Sequence, residues 1–276
     1  MPVSVPVSNG ERHISDGEFA QFQGLLRRLA GIHLSPAKKA LVCGRLGKRL
    51  KHHGLTSYGD YFRLLTGGQE AAELQIALDL LTTNETYFFR EPKHFDFLRE
   101  RVLPARNGKA SLRIWSAACS SGEEPYSLAM LLAERLGAAP WEIVASDLST
   151  RVLERARSGL YPMERARNIP EAYLKAHCLR GTGRHEGSFL IERSLRERIR
   201  FLQVNLNEPL PRLGEFDLIF LRNVMIYFEQ ETKRSVVQRL IPMLKPGGHL
   251  LIGHSETLNG VTDRLRSVSP SIYRKE

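Results

Sequence analysis

The sequence predicts an α/β domain built on a mostly parallel sheet, preceded by an all-helical module. Three observations carry that expectation. Over residues 1–80, apolar side chains recur at three- and four-residue steps without strand-like alternation. After Ser111, short apolar runs alternate with helical stretches, the pattern of a parallel sheet covered on both faces. The turn after the first of these runs, Ala117 to Gly122, consists of small residues that let backbone approach a ligand closely.

Taken in order, Phe19, Phe22, Leu25, Leu26 and Leu29 mark a first helix that Gly31 stops. A second is expected from Ser35 as N-cap and Pro36 at the first helical position, running to His53 and Gly54. On it Lys38, Arg45, Lys48, Arg49 and His52 fall to one side and Val42, Leu46 and Leu50 to another, so one face is basic and the other is core. Ala71 to Leu81 gives a further helix. Leu81 to Arg90 (LTTNETYFFR) fits neither period and reads as linker, after which Pro92 opens a helix through Phe95, Leu98 and Val102.

The expected strands are Leu112 to Ala117, Trp141 to Ser146, Ile199 to Val204, Phe216 to Leu221 and His249 to Gly253, with Ser271 to Arg274 closing the sheet. Helices Glu124 to Leu136 and Arg151 to Arg157 follow the first two. From Cys178 to Glu192, glycines separate short β-prone runs, which reads as a small antiparallel insertion. The expected domains are therefore residues 1–80, a linker over 81–98, and an α/β domain over 99–276 with its insertion at 176–199.

Composition narrows the function. The formal charge of +10 favours acidic partners, and the excess is local: from Phe19 to Gly59 there is no Asp or Glu. No run approaches the roughly eighteen apolar residues of a membrane span, and Met1 to Asn9 lacks a signal-peptide core, so a cytoplasmic location is expected. Cys43, Cys119 and Cys178 stand far apart with no C-x-x-C pair, which suggests neither disulfides nor a zinc site; no metal is expected.

In an open α/β sheet, ligands bind beyond the carboxyl ends of the strands. There the small-residue turn stands after the first strand, with Glu123 following it, although such a turn also serves simple strand-to-helix packing. Asp147 after the second strand is placed to accept ribose hydroxyls, or else to cap the next helix. Asn205-Leu206 after the third suits an adenine ring, and Arg222-Asn223 after the fourth puts polar side chains at the crevice with Tyr227 about one helical turn beyond. Together they imply a nucleoside-bearing ligand. Neither G-x-G-x-x-G nor G-x-x-x-x-G-K-[ST] is present, so a pyrophosphate is poorly served. S-adenosylmethionine, with a nucleoside and an amino acid but no phosphate, fits better, with Glu123 accepting its ammonium.

Four segments, LTTNETYFFRE (Leu81 to Glu91), SAACSSGEEPYS (Ser116 to Ser127), RNVMIYF (Arg222 to Phe228) and LKPGGHLLIGHSE (Leu244 to Glu256), together resemble the CheR family of chemotaxis receptor methyltransferases. The resemblance implies a Rossmann-like methyltransferase domain, a linker that contributes to the cofactor site, and a cofactor site of Asn84, Thr86, Arg90, Glu123, Asp147, Asn205, Leu206, Arg222 and Asn223. By the same analogy Arg90 and Tyr227 lie closest to the transferred methyl. It further implies glutamate side chains of chemotaxis receptors as substrate, the basic face of Lys38, Arg45, Lys48 and Arg49 as receptor contact, and the insertion, at Arg180, Gly181 and Gly183, as the kind of β-subdomain that docks a receptor C-terminal peptide.

A methyl acceptor that is a glutamate is already ionised at neutral pH, so no general base is needed and positioning should dominate. The competing readings are a nucleic-acid methyltransferase, which shares the cofactor fold, and a non-catalytic cofactor-binding adaptor. The run Asn/Asp-Pro-Pro-Phe/Tyr of amino-directed DNA methyltransferases is missing. A monomer is expected.

Overall fold

The computed structural model describes residues 13–106 and 111–276. The chain divides between Thr82 and Thr83 into two compact units.

The first unit is helical. Helix α1 (Asp16–Ala30) starts in a capping box, Ser15 with Glu18, and ends at Gly31 in the left-handed region at φ 70°. The expected N-cap at Ser35 makes no side-chain capping bond, because Pro36–Lys38 forms a separate 3-10 turn and α2 begins at Lys39 and runs to His52. Helix α3 (Tyr58–Thr66), capped by Ser57, escaped the sequence reading; α4 (Ala71–Leu81) completes the unit. Phe22, Leu26, Val42, Leu46 and Tyr61 are fully enclosed in its core.

The second unit opens with α5 (Pro92–Phe97), which continues as one π-turn over Leu98–Val102. Strands β1 (Leu112–Ser116) and β2 (Trp141–Asp147) are followed by α6 (Glu123–Leu136) and α7 (Thr150–Ser158) respectively. Next come β3 (Leu160–Pro162), α8 (Glu171–His177), β4 (Cys178–Arg180), β5 (Ser188–Ile191), a short α9 (Arg193–Arg196) and β6 (Ile199–Gln203). The last elements are β7 (Phe216–Leu221), α10 (Gln230–Leu240), β8 (Leu244–Ile252), β9 (Leu265–Ser269) and β10 (Ile272–Lys275).

Among the described residues, seven strands form the main sheet in the order β6-β2-β1-β7-β8-β10-β9. The first five run parallel, and β10 runs against both its neighbours. Strand β9 was not foreseen, since its polar run LRSVS lacks the apolar density of a core strand and lies at the sheet edge. Because the chain leaves β1 toward β2 on one side and returns to β7 on the other, the strand order switches at β1, which is where such sheets bind ligands.

The insertion is a three-stranded antiparallel sheet, β3-β5-β4. It reaches further back than the glycine-bearing run, because Leu160–Pro162 supplies one edge strand. Gly181 is required there: a Cβ would meet the His185 carbonyl oxygen at 2.0 Å.

Candidate active site

The turn after β1 is built against its neighbours. Cys119 N–H donates to the Ser146 carbonyl at 2.8 Å, and Ser120 N–H to Asp147 Oδ2 at 2.8 Å. Gly122 sits at φ +97°, and a Cβ there would come within 2.8 Å of the Tyr161 hydroxyl and 2.9 Å of Ala156 Cβ. Asp147 is not the cap of α7, which is Ser149; its Oδ1 accepts the Ser149 N–H at 3.0 Å. Glu123 is 1 % exposed, accepts from the Ser121 hydroxyl at 2.7 Å and pairs with Arg165 at 3.1 Å. Burial raises its carboxyl pKa, against the pull of Ser121 and Arg165.

The linker folds onto this turn. The Ser120 hydroxyl donates to the Asn84 carbonyl at 2.9 Å, Arg165 to the Thr86 carbonyl at 2.9 Å, and Phe89 N–H to the Ser127 hydroxyl at 2.9 Å. Asn84, Thr86, Glu123 and Asp147 are thus gathered about the carboxyl ends of β1 and β2. Asn205 and Leu206 follow β6, with Asn205 Oδ1 accepting the Asn207 N–H at 3.0 Å. Arg90 donates to the Glu85 carbonyl at 2.9 Å and lies over the exposed Tyr87 ring at 5.6 Å.

Arg222 and Asn223 are engaged by the protein itself. The Arg222 side chain, 2 % exposed, binds Glu124 Oε2 at 2.8 Å, Glu91 Oε2 at 3.1 Å and the Arg90 carbonyl. Asn223, at φ +56°, donates from Nδ2 to Glu91 Oε1 at 3.2 Å and from its backbone to Glu256 Oε2 at 2.9 Å. Glu256 also accepts from Gly253 N–H at 2.6 Å and Ile226 N–H at 3.2 Å. Gly253 leaves room for this: a Cβ would sit 2.5 Å from Asn223 Nδ2 and 2.8 Å from Glu256 Oε2. Burial works to raise the Glu91 carboxyl, but Arg222, the His254 N–H and Asn223 outweigh it and hold it below its ordinary value. The carboxylates therefore lock the segment carrying Arg90 to the segment carrying Tyr227, which ends a 3-10 turn over Met225–Tyr227.

Sequence reasoning missed Glu91, Glu124, Arg165 and Glu256. Glu91, Glu124 and Glu256 lie inside or at the ends of the quoted motifs, which was the available signal; nothing local marks Arg165.

In the helical unit, the basic face is partly spent internally. Arg49 and the Tyr61 hydroxyl bind Glu73, which is 3 % exposed, and His53 Nε2 lies 3.1 Å from the same carboxylate. Arg45 donates to the Leu81 and Thr82 carbonyls at 3.2 and 2.9 Å, closing the end of α4. Both arginines, expected as receptor contacts, thus have structural partners, while Lys38 and Lys48 are exposed.

Two carboxylates beside a tight small-residue turn, at the strand switch, suit an ammonium and a ribose rather than a phosphate. With one reversed strand in the sheet, this fold and site define the class of S-adenosylmethionine-dependent methyltransferases. Residues 84–274 match the family model described as CheR methyltransferase, SAM binding domain, and residues 17–82 that of the CheR methyltransferase all-alpha domain. The chain belongs to the CheR methyltransferase family, and S-adenosylmethionine is its cofactor.

Among similar proteins are the Chemotaxis protein methyltransferase of Escherichia coli (strain K12), 43% identical with 94% of this chain and 91% of that one covered. Chemotaxis protein methyltransferase 2 of Pseudomonas aeruginosa is 42% identical with 99% of each covered. That of Borreliella burgdorferi is 38% identical with 95% of each covered. Among the described residues no helix is long and apolar enough to cross a membrane.

Proposed function

We propose that the chain transfers the methyl group of S-adenosylmethionine to glutamate side-chain carboxylates of chemotaxis receptors, giving methyl esters, and that it works in the cytoplasm as a monomer. The observation that supports this reading is the crevice at β1 and β2, where Glu123 and Asp147 stand beside the small-residue turn in a chain of this family. When bound, the cofactor supplies an electrophilic methyl on a sulfonium. The protein's residues do the rest by holding and orienting.

Glu123 would hold the cofactor's ammonium, Asp147 its ribose hydroxyls, and Asn205 and Leu206 its adenine. Asn84 and Thr86 close the turn from the linker side. Arg90 would hold the incoming carboxylate and Tyr227 would orient it, a positioning role because that oxygen is already an anion. Arg222 and Asn223 would act by keeping those two segments in place.

Lys38 and Lys48 would meet acidic methylation helices, with Arg45 and Arg49 shaping the surface from which they project. The edge strand β4, with Arg180, Gly181 and Gly183 at its end, would accept a receptor C-terminal peptide as a further strand.

The test is incubation with radiolabelled S-adenosylmethionine and receptor-rich membranes, followed by alkali. Esters on glutamate release volatile methanol. Label that survives alkali, as on a methylated base, or no label at all, as for an adaptor, would refute the reading.

A further inference from the structure

One cluster in the second unit joins Glu91, which also fixes the Arg90 segment, to two histidines that have no part in the reaction as proposed, His94 and His254. Their ligand-capable atoms all lie within 4.8 Å of one another, with Glu91 Oε2 3.5 Å from His94 Nδ1 and 3.9 Å from His254 Nε2. His94 is wholly buried. Its Nε2 stands 2.8 Å from the Ser271 hydroxyl, and that hydroxyl points its proton at the Pro270 carbonyl, 2.6 Å away.

A hydroxyl has one proton to give. With that proton on the Pro270 carbonyl the hydroxyl accepts from His94, and the proposal rests on the matching tautomer, in which Nε2 carries the ring hydrogen and Nδ1 keeps a bare lone pair. Among the described residues His94 Nδ1 is buried without a hydrogen-bond partner, and it lies 3.5 Å from Glu91 Oε2, another lone-pair holder. Two such atoms repel unless a cation lies between them. The local charge favours one, since two carboxylates, Glu91 and Glu124, share the guanidinium of Arg222, and a third, Glu256, is held close by through the Asn223 N–H. An imidazole whose second nitrogen is fixed by an outer hydrogen bond is also the usual state of a metal-binding histidine.

We propose that Glu91, His94 and His254 form a three-ligand site for a divalent ion of the zinc class. Two imidazole nitrogens and one carboxylate oxygen, with a fourth position left for solvent, is a recurrent zinc donor set. Bonds of about 2.0–2.1 Å in a tetrahedron put ligand atoms roughly 3.4 Å apart. The observed 3.5 and 3.9 Å to Glu91, and a His94–His254 separation within 4.8 Å, must close toward that value, and His254, 44% exposed on the loop after β8, is placed to move. Arg222 would keep its bond to Glu124 and share Glu91. The ion would clip the linker to that loop.

The site stands apart from the methyl-transfer reading, because it is tested without S-adenosylmethionine. The untagged full chain, freed of metal by chelator, is titrated with Co²⁺ and followed by equilibrium dialysis and visible absorption. One Co²⁺ per chain is expected, with the strong visible bands of a tetrahedral site and displacement by Zn²⁺. His254→Ala, at an exposed position, should weaken binding at least about tenfold. Ser271→Gly should weaken it about tenfold by removing the outer hydrogen bond; glycine is at ease at the φ of 60° found there. No binding by the wild-type chain, or equal binding in His254→Ala, overturns the proposal.

Discussion

Each unit sets a carboxylate among cationic and polar partners, Glu73 buried and Glu91 partly so, and the two uses differ. Glu73 in the helical unit gathers Arg49, Tyr61 and His53, all side chains, and so fastens α2, α3 and α4 into one body. Glu91 in the α/β unit binds Arg222, Asn223 and the His254 N–H, and through Arg222 reaches the Arg90 carbonyl. It fastens loops that stand at the ends of strands. The first knot is about whether a domain folds; the second is about where reactive side chains stand. A buried charge cluster therefore has to be judged by what it ties, not by how many charges it holds.

The sharpest way to break that contrast is to remove each carboxylate. Glu73→Ala should cost the helical unit about 3 kcal/mol, since it strands Arg49 and the Tyr61 hydroxyl, while affinity for S-adenosylmethionine by calorimetry stays at the wild-type value. Glu91→Ala should do the opposite, lowering turnover on the order of a hundredfold by letting Arg90 drift with little change in melting of the helical unit. Matching losses of stability and turnover in both variants would erase the distinction.

A smaller effect tests the cofactor side. Asp147→Ala should weaken S-adenosylhomocysteine binding about tenfold, as expected for hydrogen bonds to a charged group, and leave the released ester chemistry unchanged.

Acid sharpens the contrast further. Hydrogen bonds from Arg49, Tyr61 and His53 overcome burial and depress the Glu73 carboxyl from 4.5 to about 2. Its folded-state value is the lower one, so it stabilises the unit fully above pH 4.5 and loses that contribution as pH falls from 4.5 toward 2. Glu73→Gln should flatten the acid limb of the helical unit's unfolding in that window. An unchanged slope would show that the knot does not hold its charge.

The smallest effect concerns the basic face. Lys38→Ala with Lys48→Ala should slow receptor methylation a few-fold at low salt, and added salt should narrow the gap from wild type. Equal salt sensitivity would remove these lysines from the recognition surface.

Much of the sheet could be read in advance, because Ile114, Ile143 and Leu218 lie in dense apolar runs whose only good place is between two layers of helix. Strand β9 and helix α3 were not readable in the same way: the one is mostly exposed edge, the other a short helix between glycines. Asp147 and Glu123 were legible since strand ends announce the crevice. The roles of Arg222 and Glu91 were not, because Arg222 stands 98 residues from Glu124 and 131 from Glu91 along the chain. The same distance hid the grouping of His94 with His254. Arg49 misled in the other direction, since an acid-free stretch looks unpaired until Glu73 folds over it.

Gly253 carries a different kind of consequence. With 2.5 Å to Asn223 Nδ2, any side chain at that position must push the asparagine or Glu256 aside. An alanine scan scored by activity alone would thus flag a residue without a side chain as though it did chemistry. Random drift would find no gradual route through it either, since the first methyl group already collides.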